Sequence, residues 1–448
     1  MNITGTTFAC APMQAGLLYE TLSGRAGAYV QQVLITCQER LDDDALRVAW
    51  VRLVERHDVL RTSFVIGETA TPQQRVHPEA PPGIVTVDWR ELSDEDRVGR
   101  WDELVEAERQ TGFEPAHPPL MRVAICRLED EVTRMLWTYH HAILDGRSRL
   151  TLLRELFDIY GDVQTGRRSS WTPPPSFRRF AEWTAGRGAD SATRAFWRET
   201  LRGIEEPTPA PGTRRPDGAG SGSAVIAHRF DRAMSQRLRG VADASNLTVA
   251  TMLQGAYGLL LAQEADCDDL LFVSTRAGRH SAPFDAREMV GMLMTTSPVR
   301  LRVDPDAAVG QWLAQVRAFG QAVRDFEHVP LSQVLGWSDI VRPHPIAETM
   351  FSYENATMNT LLRESDPAWR HRDVQLIEQL ELPLTLEAFG DEEILIKVLY
   401  DRARVPDSEA HRIVGRYESL VQGCVDRQTE SAASVGSPSP SRRRALAG

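Results

Sequence analysis

The run Tyr139-His140-His141-Ala142-Ile143-Leu144-Asp145-Gly146 sets two adjacent histidines and an Asp-Gly turn between two segments of different period. Upstream, residues 134–139 alternate: Met135, Trp137 and Tyr139 fall on one side, Leu136, Thr138 and His140 on the other, as in a strand. Downstream, Leu150, Leu153, Phe157 and Tyr160 recur at helical spacing. The histidines therefore stand where a strand ends and a helix begins, a place where α/β proteins carry function. Neighbouring strand side chains point to opposite faces, so unless the strand breaks between them one imidazole is structural and one faces a ligand. An imidazole near its ordinary pKa accepts a proton from an attacking amine or hydroxyl, or holds that nucleophile by a hydrogen bond. Asp145 reads as a carboxylate that fixes the loop by pairing with an arginine, and Gly146 lets the backbone approach closely at the helix start. A zinc site made of His140, His141 and Asp145 is disfavoured by their opposed directions and the lack of a fourth ligand, so no metal is expected. Other histidines, among them His57, His77 and His117, read as structural.

On either side of this run the first part of the chain alternates helix and strand. Helical segments are expected near residues 13–22 and 42–57, with Asp43 or Asp44 as a cap, and strands at 29–35, 62–65, 84–87 and 120–128. The prolines of Thr172-Pro173-Pro174-Pro175 break any regular element and mark the half-way crossing. Helical spacing resumes over 177–201, and 205–223, rich in Pro, Gly and Ser, reads as a mobile connection. A helix over 249–263, a buried strand over 269–274 and an alternating strand around Lys397 continue the α/β pattern. The expected division is a first lobe at 1–175 carrying the two histidines, a second at 176–427, and a disordered tail at 428–448 that includes Arg442, Arg443 and Arg444.

Composition narrows the function. A chain of 448 residues exceeds one hydrophobic core, which stops growing near roughly 250–300 residues. The formal charge of −11 argues against a nucleic-acid surface. Five scattered cysteines without a Cys-x-x-Cys pair suit reduced, mostly buried thiols of a cytoplasmic protein, and no run of about 18 apolar residues predicts a membrane span.

With these residues in place the chain resembles the condensation domains of nonribosomal peptide synthetases, in the chloramphenicol acetyltransferase-like superfamily. The likeness rests first on the His-His-x-x-x-Asp-Gly string. It is supported in order by Pro12-Met13-Gln14-Ala15-Gly16-Leu17-Leu18-Tyr19, Arg56-His57-Asp58-Val59-Leu60-Arg61-Thr62, Pro119-Leu120-Met121-Arg122-Val123, Val290-Gly291-Met292-Leu293-Met294-Thr295 and His328-Val329-Pro330-Leu331. The resemblance implies two acyltransferase-like α/β lobes arranged as a V-shaped pseudo-dimer with a central tunnel. It implies His141 as the catalytic residue, supported by His140, Asp145 and Gly146, with Arg61 as the salt-bridge partner of Asp145. The chain departs from the family at Arg147, where Trp is common, and at Thr295, where Asn is common, which bears on the acceptor. It lacks the segments expected of cyclising and epimerising relatives.

The implied reaction is transfer of an acyl or aminoacyl group from a carrier protein's phosphopantetheine thioester to an amine or hydroxyl, making an amide or ester in natural-product biosynthesis. No adenylation or carrier segment is read in the chain, so a stand-alone enzyme is expected, with no bound cofactor and with an acyl or peptidyl carrier protein acting in trans. Arg147 and Arg149, directly after the motif, are the expected carrier-docking residues. Two alternatives are an O-acyltransferase that uses acyl-CoA or a polyketide carrier, and a non-catalytic protein that docks carriers.

Overall fold

The computed structural model describes residues 7–22, 27, 29–65, 72–167, 172–187, 190–213, 222–377 and 382–435. Its strands are β1 (Thr7–Ala9), β2 (Val30–Cys37), β3 (Thr62–Val65), β4 (Gln73–Val76), β5 (Gly83–Asp88), β6 (Met121–Glu129) and β7 (Val132–His140). They continue as β8 (Ser223–Arg229), β9 (Asp269–Arg276), β10 (Thr295–Arg302), β11 (Thr349–Glu354), β12 (Arg372–Ile377), β13 (Leu384–Phe389) and β14 (Leu395–Asp401). A five-stranded sheet runs β12-β2-β7-β6-β5 and a six-stranded sheet runs β10-β9-β11-β13-β14-β8, with β1-β4-β3 as a small separate sheet. Each large sheet has its own buried apolar core, which makes two α/β lobes. The strand β7 forms because its alternation buries Met135, Trp137 and Tyr139 in the first of these cores, while Leu136 packs in a satellite cluster on the other side.

Both lobes repeat one construction. In the first, the antiparallel pair β6–β7 is followed by five residues and the helix Gly146–Thr165, which lies against the helix Asp43–Arg56. In the second, the pair β13–β14 is followed by five residues and the helix Asp407–Asp426, which lies against the helix Val249–Ala265. The first of these long helices is capped by the Asp145 side chain and ends at Gly166 in the left-handed conformation. Asp42, not Asp43 or Asp44, caps the helix that packs on it.

Several expectations of organisation change. The sheets do not respect a division at residue 175: β12 pairs with β2 over six residues, so a segment from late in the chain closes the edge of the first sheet. Arg372 fixes it there, paired with Glu39 and lying 3.8 Å over the Phe157 ring. Met289, Met292, Leu293, Leu362 and Trp369 also sit in the first core, because burying them completes an apolar surface that the first 175 residues leave open. The single helix expected over 177–201 is two, Arg178–Ala185 and Ser191–Thr200.

The connection expected to be mobile is held over 205–213. Thr208 exchanges hydrogen bonds with Leu271, donating from its backbone and accepting at Oγ1, and Ala210 donates to Glu348. Residues 214–221 lie outside the described residues. The tail likewise begins as structure: Ala432 and Val435 are buried in the second lobe and Ala432 donates to the Ala307 carbonyl. Arg442, Arg443 and Arg444 lie outside the described residues. No helix among the described residues is long and apolar enough to cross a membrane.

Candidate active site

The strand does break between the histidines. His140 closes β7, pairing with Val30, and His141 opens a 3₁₀ turn, His141–Ile143. Their environments then differ. His140 is fully buried; its Nδ1 accepts the Ala142 N–H at 3.1 Å, which leaves the proton on Nε2, 3.0 Å from Thr21 Oγ1. Thr21 in turn donates to the Leu17 carbonyl. Burial, reinforced by the neighbouring His141, pushes the His140 pKa down to about 3, so this imidazole is a neutral structural link.

His141 is partly exposed. Its backbone N–H donates to the Tyr29 carbonyl at 2.7 Å, and its Nδ1 lies 2.9 Å from the Leu144 carbonyl. A carbonyl only accepts, so the neutral ring carries its proton on Nδ1 and presents an unprotonated Nε2. The turn that holds it is braced from distant segments. Gln14, fully buried, donates to the Ala142 carbonyl at 2.9 Å and accepts from Ala11 N–H and from Gln74. Tyr29 adopts φ +56°, a left-handed backbone rare for a bulky residue, and it is the carbonyl of this residue that receives His141.

Asp145 is buried and serves two structures at once. Its Oδ1 accepts Ser148 N–H, capping the long helix, while Arg279 from the second lobe engages both carboxylate oxygens at 2.6 and 2.9 Å. Leu293 and Met294 N–H add two further bonds to Oδ2, and Asp145 N–H donates to the Gly291 carbonyl. Burial alone raises the pKa of such a carboxyl; the Arg279 charge and these hydrogen bonds outweigh it, and the group lies below its usual range. Ser148 joins the network, exchanging bonds with Gly291 and accepting from Arg279. Two glycines make this contact between lobes possible. Gly278 has φ +66°, and a Cβ there would lie 1.9 Å from the Leu293 carbonyl; a Cβ on Gly291 would lie 2.3 Å from the Phe177 ring.

The expected pairing of Asp145 with Arg61 is thus replaced. Arg61 bonds Asp58 at 2.7 Å and donates to the Val54 and Pro78 carbonyls, bracing its own helix end, because a short local carboxylate satisfies it. Arg149 is not a docking residue: it is 9% exposed, with its guanidinium 3.1 Å from Tyr139 Oη, since its place on the helix turns it inward. Arg147 is exposed and lies 3.9 Å from Glu288. Gly146 opens the helix, where a Cβ would meet the Arg149 guanidinium at 3.4 Å. Sequence reading missed Arg279, Ser148 and the bracing roles of Gln14 and Tyr29. The Gly278-Arg279 pair just after β9 was the available signal for the first. No group of ligand-type side chains with metal-site geometry occurs among the described residues.

Residues 5–447 match the family model described as Condensation domain. One polypeptide of the linear gramicidin synthase of Brevibacillus parabrevis is 29% identical over 440 residues, 98% of this chain and 6% of that protein, so the chain spans a small fraction of this curated relative. A variant starter condensation domain of rhizomide synthetase, solved in complex with C8-CoA, superposes with a TM-score of 0.76 at 16% identity, covering 96% of this chain and 97% of that one. The X-domain from teicoplanin biosynthesis superposes with a TM-score of 0.78 at 21% identity, covering 97% and 99%. These structures share the two-lobed α/β fold.

Proposed function

Since the chain belongs to the condensation-domain family, we propose that it transfers an acyl or aminoacyl group from the phosphopantetheine thioester of a carrier protein to an amine or hydroxyl acceptor. The acceptor's lone pair attacks the thioester carbonyl carbon, the C–S bond breaks, and the acceptor's proton passes by way of His141 Nε2 to the departing sulfur. Amide or ester and free thiol result. The observation that carries this reading is the hydrogen bond of His141 Nδ1 to the Leu144 carbonyl, which leaves Nε2 as an acceptor on a partly exposed ring. His140, whose two nitrogens are engaged within the protein, is unsuited to that part.

Magnitudes favour positioning as the main source of rate. Holding both reactants in one geometry reduces a barrier by roughly 7–11 kcal/mol, whereas one general base contributes about 10²–10⁴-fold. A tunnel between the lobes is the arrangement we infer for that positioning, with Asp145 and Arg279 holding the lobes together beside it.

A second donor is suggested by the rhizomide synthetase domain, which was solved with an acyl-CoA. Transfer from an acylated carrier protein, from the matching pantetheine thioester and from the acyl-CoA separates the two. The carrier-bound donor is expected to win by about tenfold or more, in keeping with surface recognition between folded partners. Equal rates, or a preference for acyl-CoA, overturn the carrier-dependent reading. Carrier binding without turnover by any donor makes the chain a non-catalytic docking protein.

A further inference from the structure

We propose that the carrier protein docks on a basic face built from the helices Arg178–Ala185 and Ser191–Thr200, with Arg194 and Arg198 as its principal contacts. The proposal rests on the carrier-dependent reading above and assigns the surface that reading leaves open, now that Arg149 is buried.

The face is unusual in a chain of formal charge −11. Many surface arginines here sit beside a carboxylate, as Arg178 does with Glu182 and Arg202 with Glu199. Arg179, Arg187, Arg194 and Arg198 are exposed and have no ion pair with a described carboxylate. The turn 323–326 brings Arg324 into the same area: Trp197 donates to the Phe326 carbonyl at 3.0 Å, Phe196 stacks on Phe326, and Arg187 donates to the Asp325 carbonyl. Over 176–203 and 323–326 seven arginines face four carboxylates, Glu182, Asp190, Glu199 and Asp325. Two of the four are paired with arginine and Asp190 caps its own helix, so the outward charge is positive.

Two of these cations are also held in place. Arg179 lies 4.1 Å over the Phe284 ring and Arg187 4.8 Å over Trp183, and these two aromatic rings meet edge to face. The start of the first helix adjoins the motif. Phe177, which begins the first helix, lies against Gly291, whose carbonyl accepts from Asp145 N–H and Ser148 Oγ. A partner with an acidic helical surface is therefore drawn to this side of an otherwise repelling molecule, and its arm is delivered beside the histidine turn.

The test uses the full chain and an acidic holo-peptidyl carrier protein, with affinity measured over a range of salt. The double variant Arg194→Glu and Arg198→Glu is expected to weaken binding by about tenfold or more at low salt, a difference that shrinks as salt screens it. Its turnover with the small pantetheine thioester should stay at the wild-type rate, showing that the fold and the histidine turn are intact. Replacing two acidic helix residues of the carrier by lysine should restore binding to the variant. Unchanged carrier affinity in the variant overturns the docking face while leaving carrier dependence standing. Equal competition by a DNA duplex also overturns it, by showing a cationic surface without preference for the carrier. If wild-type protein neither binds the carrier nor accepts acyl groups from it, while it does turn over the small thioester, the underlying reading itself has failed.

Discussion

The five residues that follow β7 and the five that follow β14 join the same kinds of element, a strand of an antiparallel pair and a 20-residue helix packed on a second helix, yet only the first holds the histidine and the carboxylate of the proposed site. After β7 the residues are His141 to Asp145; after β14 they are Arg402, Ala403, Arg404, Val405 and Pro406. Asp145 caps its helix with a side chain and reaches across to Arg279, whereas Pro406 caps without one. Arg402 pairs on the surface with Asp407, where His141 has an ordered, partly exposed imidazole. The fold thus repeats itself while the polar residues of the connection do not, because packing needs only the apolar pattern and the proposed chemistry needs particular polar atoms.

Matched substitutions in the two connections put this contrast at risk. The largest effect is expected at the position where they first diverge: His141→Ala should lower acyl transfer by about 10²–10⁴-fold with the melting temperature kept, while Arg402→Ala leaves both unchanged. Turnover with the small thioester beside a thermal melt checks this, and retention of more than a third of the activity would remove His141 from the chemistry.

Next comes the carboxylate. Asp145→Ala leaves Arg279 charged and buried without its partner, a loss of about 3–5 kcal/mol visible in the denaturation midpoint. The matching change Pro406→Ala should fall within about 0.5 kcal/mol. If Asp145→Ala keeps its midpoint and loses all activity, the carboxylate acts on substrate directly.

A smaller cost attends the brace beneath the turn. Gln14→Leu strips partners from the buried Ala142 carbonyl, Ala11 N–H and Gln74, about 1–3 kcal/mol by the same measurement. An unchanged midpoint would show that the turn holds without it.

The least of these effects is the response to acid. His140 has a folded pKa near 3 against 6.5 for the free side chain, so the unfolded chain takes up the proton first. The stability it contributes is complete above pH 6.5 and is lost progressively as pH falls toward 3, about 1–1.5 kcal/mol by pH 5.5. His140→Gln should lessen the fall of the melting temperature between pH 7 and 5.5, the remainder including that from His328, which burial lowers to about 4, and an unaltered slope would mean that other groups govern it.

The strand-turn-helix around His141 was legible because its two periods meet within a few residues, and periodicity is a local property. Thr62–Val65 and the helix ending at Arg56 were read almost to their ends for the same reason. Reading failed where burial was supplied from far along the chain. Residues 205–213 are rich in turn formers, which suggests mobility, but Leu271 and Glu348 satisfy their polar groups. Residues 428–435 look like a polar tail, but Ala432 and Val435 close the second core.

The order of amino acids was enough to set the alternation of elements, the segment proposed to bear the chemistry, and the need for a cation opposite Asp145. Packing in three dimensions chose which arginine that cation is, returned β12 to the first sheet, and turned Arg149 inward while Arg194 and Arg198 stay outside without a described carboxylate beside them. The physical reason lies in range. Local periodicity sets which face of an element is apolar, whereas a buried charge must find its counter-charge wherever the packed chain offers one, here 134 residues away.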